Sequence, residues 1–127
     1  MAVQAQIAKD RNEPLQRNSA MNLPSPIQLY FDADRRRDGE ALIRAFAPDA
    51  VVEDEGHSYA GRQAIGAWWR ETKEKYQTLM EPLEIGAESG VTKVVARVTG
   101  QFPGSPAMIR FAFQLNGDQI TALEITA

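Results

Sequence analysis

Two side chains in the first half of the chain, a carboxylate and a phenol, are its best candidates for chemistry. Residues 50–55 form a short β-branched run whose alternation places Ala50, Val52 and Asp54 on one face. Because the neighbours on that face are apolar, burial disfavours the ionised carboxylate and makes Asp54 a candidate general base. An aspartate near the end of a strand also fits a turn or a cap, and that simpler interpretation stays open.

The phenol is Tyr30, which recurs with Ile27, Phe31 and Asp34 at helical spacing. A buried phenol needs a hydrogen-bond partner or access to a pocket, although most tyrosines on such a stripe are simply core residues. A phenol that donates to a developing oxyanion, opposite a carboxylate that removes a proton from carbon, is the minimum equipment for enolisation. The sequence alone does not show whether Tyr30 and Asp54 face each other.

Three helices are predicted around these residues. The first begins at Ser25-Pro26, with the serine as its cap, and ends in a basic run. Asp38 is predicted to cap a second helix, which residues 47–49 end because proline disfavours a helical residue before it. The third helix is predicted at residues 62–76, with an apolar stripe made by Ile65, Trp68, Trp69, Thr72 and Tyr76.

The second half of the chain changes to a period of two, which is typical of strands. The predicted strands cover residues 83–87, 91–102, 107–115 and 119–126, and Asn116-Gly117 is the sharpest turn signal between them. Mainly helical segments followed by strands predict an α+β fold with an antiparallel meander.

Composition excludes several kinds of protein and site. The 127 residues carry 14 basic and 17 acidic side chains, so neither nucleic acid nor an anionic membrane is an expected partner. There is no cysteine and only one histidine, His57, and nothing in the sequence indicates a metal or another cofactor. Residues 1–20 are predicted to be a flexible tail before a domain at 21–127, and their lack of a secretory apolar core predicts a cytoplasmic protein.

From Tyr30 to Trp69 the chain resembles the bacterial steroid Δ5-3-ketoisomerases, and more broadly the SnoaL-like branch of the nuclear-transport-factor-2-like superfamily. The resemblance extends loosely over nearly all of residues 22–127. It is carried by Tyr30, Asp38-Gly39, Phe46-Ala47-Pro48-Asp49-Ala50, Val52-Glu53-Asp54, Gly61 and Ile65.

The resemblance implies a cone-like, curved antiparallel sheet that wraps the helices, the cystatin-like roll, with a pocket between helices and sheet. In such a site Asp54 is the proton-shuttling base and Tyr30 the oxyanion donor. In the ketosteroid isomerases a second, protonated acid completes the oxyanion hole. That acid falls on Phe111 here, which cannot donate a hydrogen bond. Trp69 replaces a tyrosine that supports the phenol, although its indole N–H remains able to donate.

These departures count against steroid isomerisation itself and leave two hypotheses. The first is an enzyme that moves a proton next to a carbonyl, such as an isomerase, cyclase or dehydratase, acting on a small apolar substrate. The second is a non-catalytic ligand-binding or regulatory module. In either case the expected ligand-contacting residues are Val52, His57, Ile65, Trp69, Phe111, Phe113 and Leu123. The resemblance also implies a homodimer formed through the outer face of the sheet, with Val95, Arg97 or Arg110 as contributors.

Overall fold

A computed structural model of the chain describes residues 22–127, so the predicted tail at 1–20 lies outside the described residues. Three helices are present: α1 at Ser25–Arg36, α2 at Gly39–Arg44 and α3 at Arg62–Tyr76. The bounds of α3 confirm the prediction made from its apolar stripe. Asp38 caps α2 as predicted, accepting a hydrogen bond from the Ala41 N–H at 3.1 Å.

Two details at the helix ends differ from prediction. Ser25 is the first residue of α1 and does not cap it; Pro24 holds the cap position, with no side-chain hydrogen bond. The second helix ends at Arg44, before the proline, because the backbone there joins the sheet. The Ile120 N–H donates to the Ala45 carbonyl at 2.8 Å, and Phe46 is already paired with Ile120.

Six strands form one curved, open sheet. They are β1 at Phe46–Asp54, β2 at His57–Ala60, β3 at Leu79–Glu88, β4 at Val91–Thr99, β5 at Ala107–Asn116 and β6 at Gln119–Thr126. Their spatial order is β2-β1-β6-β5-β4-β3. The α+β class is therefore confirmed.

The sheet is mixed, whereas the expected one was antiparallel. The last strand, β6, lies between β1 and β5 in the sheet and pairs antiparallel with β5 but parallel with β1. All other neighbouring strands are antiparallel. A parallel pair needs a long connection, and here everything between β1 and β6 supplies it.

Strand bounds also differ where backbone pairing overrides local signals. β3 begins at Leu79 although Pro82 lies within it, because β3 is an edge strand and its register shifts between Pro82 and Glu84. β4 ends at Thr99, earlier than predicted. There the chain approaches α3 so closely that a Cβ on Gly100 would lie 2.7 Å from the Tyr76 carbonyl oxygen, and the Gln101 N–H bonds that carbonyl at 2.6 Å.

The inner face of the sheet packs against the helices to form the core. One row of register partners, Val52, Leu123 and Phe113, is fully buried beneath them. The next row along the same strands consists of Asp54, Ile125 and Phe111, and it lies at the edge of an open cavity. Among residues 22–127 there is no helix with the length and apolar character needed to span a membrane.

Candidate functional site

A cavity of about 340 Å³ opens between α1, α3 and the inner face of the sheet. Its volume falls within the usual range for small-molecule sites. The helices contribute Tyr30, Asp34, Trp68, Trp69, Thr72, Lys73 and Tyr76, and the sheet and its connections contribute Asp54, Glu55, Thr78, Met80, Val98, Phe102, Pro103, Ile109, Phe111 and Ile125. Tyr30 and Asp54 thus lie on one cavity.

Asp54 is half-buried at the end of β1, on the inward face that strand alternation predicts. The indole N–H of Trp68 donates to its Oδ2 at 3.0 Å. Burial raises the pKa of Asp54 above its ordinary value, and the nearby Glu55 carboxylate adds to that shift. The hydrogen bond from Trp68 and the proximity of His57 oppose the shift in pKa without cancelling it.

Tyr30 is 1% exposed and lies within a cage of aromatic rings. Its ring centroid is between 5.1 and 6.3 Å from those of Phe31, Phe46, Phe111 and Phe113. Burial, together with the Asp34 and Asp54 carboxylates, raises the pKa of Tyr30 well above its usual value, so the phenol stays protonated. The Tyr30 hydroxyl forms no hydrogen bond with any residue of 22–127, which leaves its proton free for a ligand.

A second polar group lines the cavity, and sequence reasoning did not identify it. Asp34 is 2% exposed and lies 2.7 Å from the ammonium of Lys73, which is itself buried. Lys73 also donates to the Thr78 hydroxyl at 2.6 Å and to the Thr78 carbonyl at 3.1 Å. The indole N–H of Trp69 donates to Asp34 Oδ1 at 2.8 Å. This Asp34–Lys73 cluster joins α1, α3 and the residue that precedes β3.

The charge of Lys73 reflects two opposing influences. Burial lowers the pKa of its ammonium, while the Asp34 carboxylate in direct contact raises it. Helical spacing was the available sequence signal: Asp34 follows Tyr30 by four residues, and Lys73 follows Trp69 by four. The spacing places each on a cavity-facing stripe, but nothing in the sequence pairs one helix with the other.

The predicted ligand-contacting residues divide into two groups. Trp69 and Phe111 line the cavity, but the indole N–H of Trp69 is committed to Asp34 and does not support the phenol. Four others are fully buried core residues that do not reach it: Val52, Ile65, Phe113 and Leu123. Strand alternation assigned the correct face to Val52, Phe113 and Leu123, but it does not show that their row lies one step deeper than the row of Asp54.

His57, the remaining predicted ligand-contacting residue, does not line this cavity. It begins β2, a strand that the sequence analysis missed, and it is the register partner of Asp54. Its side chain is exposed and lines a second, polar pocket, which adjoins the cavity and shares Asp54, Glu55 and Ile125 with it. Among residues 22–127, no three metal-ligating side chains of His, Cys, Asp or Glu are grouped to hold an ion.

Comparisons with known proteins agree with this fold. The sequence profile described as the SnoaL-like domain matches residues 27–123. A candidate polyketide cyclase from Sinorhizobium meliloti is 43% identical; the match covers 82% of this chain and 95% of that protein, with a TM-score of 0.79. Among curated proteins, none matches this chain.

Two more distant structures show the fold alone. A protein of ketosteroid isomerase-like fold from Catenulispora acidiphila, solved in complex with trimethylamine, is 18% identical over 84% of this chain and 87% of its own, with a TM-score of 0.72. A cystatin-fold protein from Novosphingobium aromaticivorans is 14% identical over 80% of this chain and 95% of its own, with a TM-score of 0.66.

Proposed function

The chain belongs to the SnoaL-like domain family, and we propose that it is a proton-transfer enzyme acting next to the carbonyl group of a small, largely apolar compound. One observation carries the proposal: Tyr30 and Asp54 line the same cavity. An isomerase, a cyclase and a dehydratase share this first step. The Sinorhizobium meliloti protein, named as a candidate polyketide cyclase, supports the cyclase among the three.

Asp54 is the general base of the proposed reaction. Its carboxylate removes a proton from the carbon next to the carbonyl, and the electrons of the broken C–H bond pass to the carbonyl oxygen to form an enolate. Burial raises the pKa of Asp54, which makes its carboxylate a stronger base than an aspartate in water. The protonated acid then returns the proton to carbon or to a leaving group.

Tyr30 stabilises the enolate oxygen by donating its phenolic hydrogen. The supporting observation is that Tyr30 lines the cavity and its hydroxyl bonds no residue of 22–127. The Phe111 ring lies 6.3 Å from the Tyr30 ring and offers no donor, so the oxyanion is stabilised by fewer donors than in the steroid isomerases. Loss of one donor typically costs on the order of a hundredfold in rate.

The conversion of cyclohex-3-en-1-one into its conjugated isomer, followed by ultraviolet absorbance, tests the proposal with a minimal ketone. We expect Asp54→Asn to slow the conversion by about a hundredfold or more, because the amide cannot accept the proton. Asp118→Asn removes the same charge on the exposed turn after β5 and serves as the matched control. An unchanged rate in Asp54→Asn contradicts the proposal.

A non-catalytic ligand-binding module is the second candidate. It is favoured because Phe111 lines the cavity but offers no hydrogen-bond donor. The same ketone assay separates the two functions when it is combined with a binding measurement. A binding module retains compounds in the cavity without accelerating their conversion, whereas an enzyme does both.

Homodimer formation through the outer face of the sheet remains part of the proposal. Arg110 and Val95 are register partners on this face, and Met108, the partner of Arg97, is 51% exposed there. Burial of the exposed Met108 side chain in an interface favours association of two copies. Light scattering is the measurement, and a monomer at all concentrations contradicts this part of the proposal.

A further inference from the structure

The ionisable groups of the cavity leave Asp54 without a paired cation. Asp34 and Lys73 neutralise each other at 2.7 Å. Asp54 forms no ion pair with any residue of 22–127, and its side-chain hydrogen bond comes from the neutral indole of Trp68. Glu55, also on the cavity, adds a further negative charge near Asp54. The Asp54 end of the cavity is therefore electronegative.

Aromatic rings form much of the remaining wall. Six of the lining residues are aromatic, namely Tyr30, Trp68, Trp69, Tyr76, Phe102 and Phe111. Aromatic rings attract cations through the negative potential of their faces, most strongly where water is excluded. A carboxylate without a counter-ion among aromatic rings is the combination that suits an alkylated ammonium ion.

We propose that this cavity binds a hydrophobic organic cation, a tertiary or quaternary amine, with Asp54 as its counter-ion. The alkyl groups occupy the space between the rings, and the positive nitrogen lies near the carboxylate. Oδ2 of Asp54 already accepts the Trp68 N–H, so Oδ1 is the atom available to the cation. A primary ammonium suits the site less well because it loses more hydration on entering an apolar cavity.

The lysine already in the cavity does not satisfy Asp54. Its ammonium donates to Asp34, to the Thr78 hydroxyl and to the Thr78 carbonyl, which uses all three of its hydrogens. Its position is fixed by Asp34 of α1 and by Thr78 in the connection before β3. Lys73 is therefore not available to Asp54, and the proposed counter-ion comes from the ligand.

Choline and its neutral carbon isostere, 3,3-dimethylbutan-1-ol, test this inference because they have nearly the same shape and differ in charge. Calorimetric titration of the intact chain at neutral pH is expected to show choline binding about tenfold more tightly than the alcohol. Equal affinities, or no binding of either compound, overturn the inference. This comparison uses the wild-type protein and does not depend on any variant.

The variant Asp54→Asn tests whether the preference for choline over the alcohol depends on the Asp54 carboxylate. We expect it to abolish the difference between choline and the alcohol, while the control Asp118→Asn retains it. A preference for choline that survives in Asp54→Asn overturns the role of Asp54. Both titrations measure binding without turnover, so their outcome is distinct from that of the ketone assay: a protein that isomerises the ketone but ignores choline retains the proposed function and loses this inference.

Discussion

Two carboxylates of the cavity, Asp34 and Asp54, have the same kind of neutral partner but different charged neighbours. Each accepts a hydrogen bond from the indole N–H of one of two consecutive tryptophans. Trp69 donates to Asp34 at 2.8 Å and Trp68 donates to Asp54 at 3.0 Å. Asp34 also contacts the Lys73 ammonium, whereas Asp54 forms no ion pair with any of the described residues.

This difference shows how one helix can build two unlike acid sites. Adjacent residues of an α-helix point about 100° apart, so Trp68 faces the end of β1 while Trp69 faces α1. Lys73 follows Trp69 by about one turn and therefore reaches the same acid. Asp34 becomes a structural ion pair, and Asp54 remains a carboxylate of raised pKa that is open to a ligand.

Removing the lysine is expected to have the largest effect on stability. Lys73→Met leaves the Asp34 carboxylate buried without a counter-ion, which typically costs about 3–5 kcal/mol. Urea denaturation of variant and wild type measures the free energy of unfolding. The double variant Lys73→Met with Asp34→Asn removes both charges and is expected to recover most of the loss; failure to recover it shows that packing of the lysine stem dominates.

Removing one indole N–H at a time sharpens the comparison further. Trp69→Phe is expected to lower the free energy of unfolding by about 1–3 kcal/mol, because it leaves a fully buried acid with one donor fewer. Trp68→Phe should cost about 1 kcal/mol, since Asp54 is half-buried and water can replace the donor. Equal losses in the two variants contradict the distinction.

Trp68→Phe also has an effect on the pKa of Asp54 that a purely structural residue does not have. The Trp68 hydrogen bond lowers that pKa, so its removal should raise it further. The pH below which ketone conversion declines is then expected to move upward. A pH–rate profile that does not move separates Trp68 from the acid–base chemistry.

Asp54→Asn is expected to change stability little, and in the opposite direction from Lys73→Met. Because folding raises the pKa of Asp54, its ionisation costs the folded state free energy as the pH rises from 3.8 through the raised pKa. The variant should therefore match wild type at low pH and be more stable at neutral pH. The gain is small, on the order of 0.5 kcal/mol, because solvent screens a half-buried charge. A variant less stable than wild type at neutral pH contradicts this expectation.

The smallest effect on stability is expected from Tyr30→Phe. The hydroxyl bonds no residue of 22–127, so its loss should leave the free energy of unfolding within about 0.5 kcal/mol of wild type. Ketone conversion should nevertheless fall on the order of a hundredfold, because the enolate loses its donor. Loss of stability with retained conversion indicates a core tyrosine and contradicts its role as a donor.

Local patterns in the sequence predicted the elements better than their contacts. The apolar stripe of α3 and the alternation of β6 give those two elements their observed bounds. Alternation also placed Asp54 on the inward face. These signals work because each depends only on the period of one element.

What the sequence did not predict depends on residues from different elements. The ion pair between Asp34 and Lys73 joins two helices, and the parallel pairing of β1 with β6 joins strands from opposite ends of the domain. Depth is a further example: Val52 and Asp54 share a face of β1, yet the first lies in the core and the second at the cavity. The period of a strand predicts which face of the sheet a side chain lies on. How deeply that side chain is buried depends on which part of the face the helices cover.

The position of β6 between β1 and β5 has a consequence for the nascent protein. During synthesis Asp54 leaves the ribosome long before Ile125, its neighbour in the sheet, and so the edge that β1 presents stays unpaired in the meantime. Such distant pairing is slow to form and prolongs the exposure of unpaired strands. Helices α1 and α3 can form earlier, but the sheet beneath the cavity that they line is complete only when β6 pairs between β1 and β5.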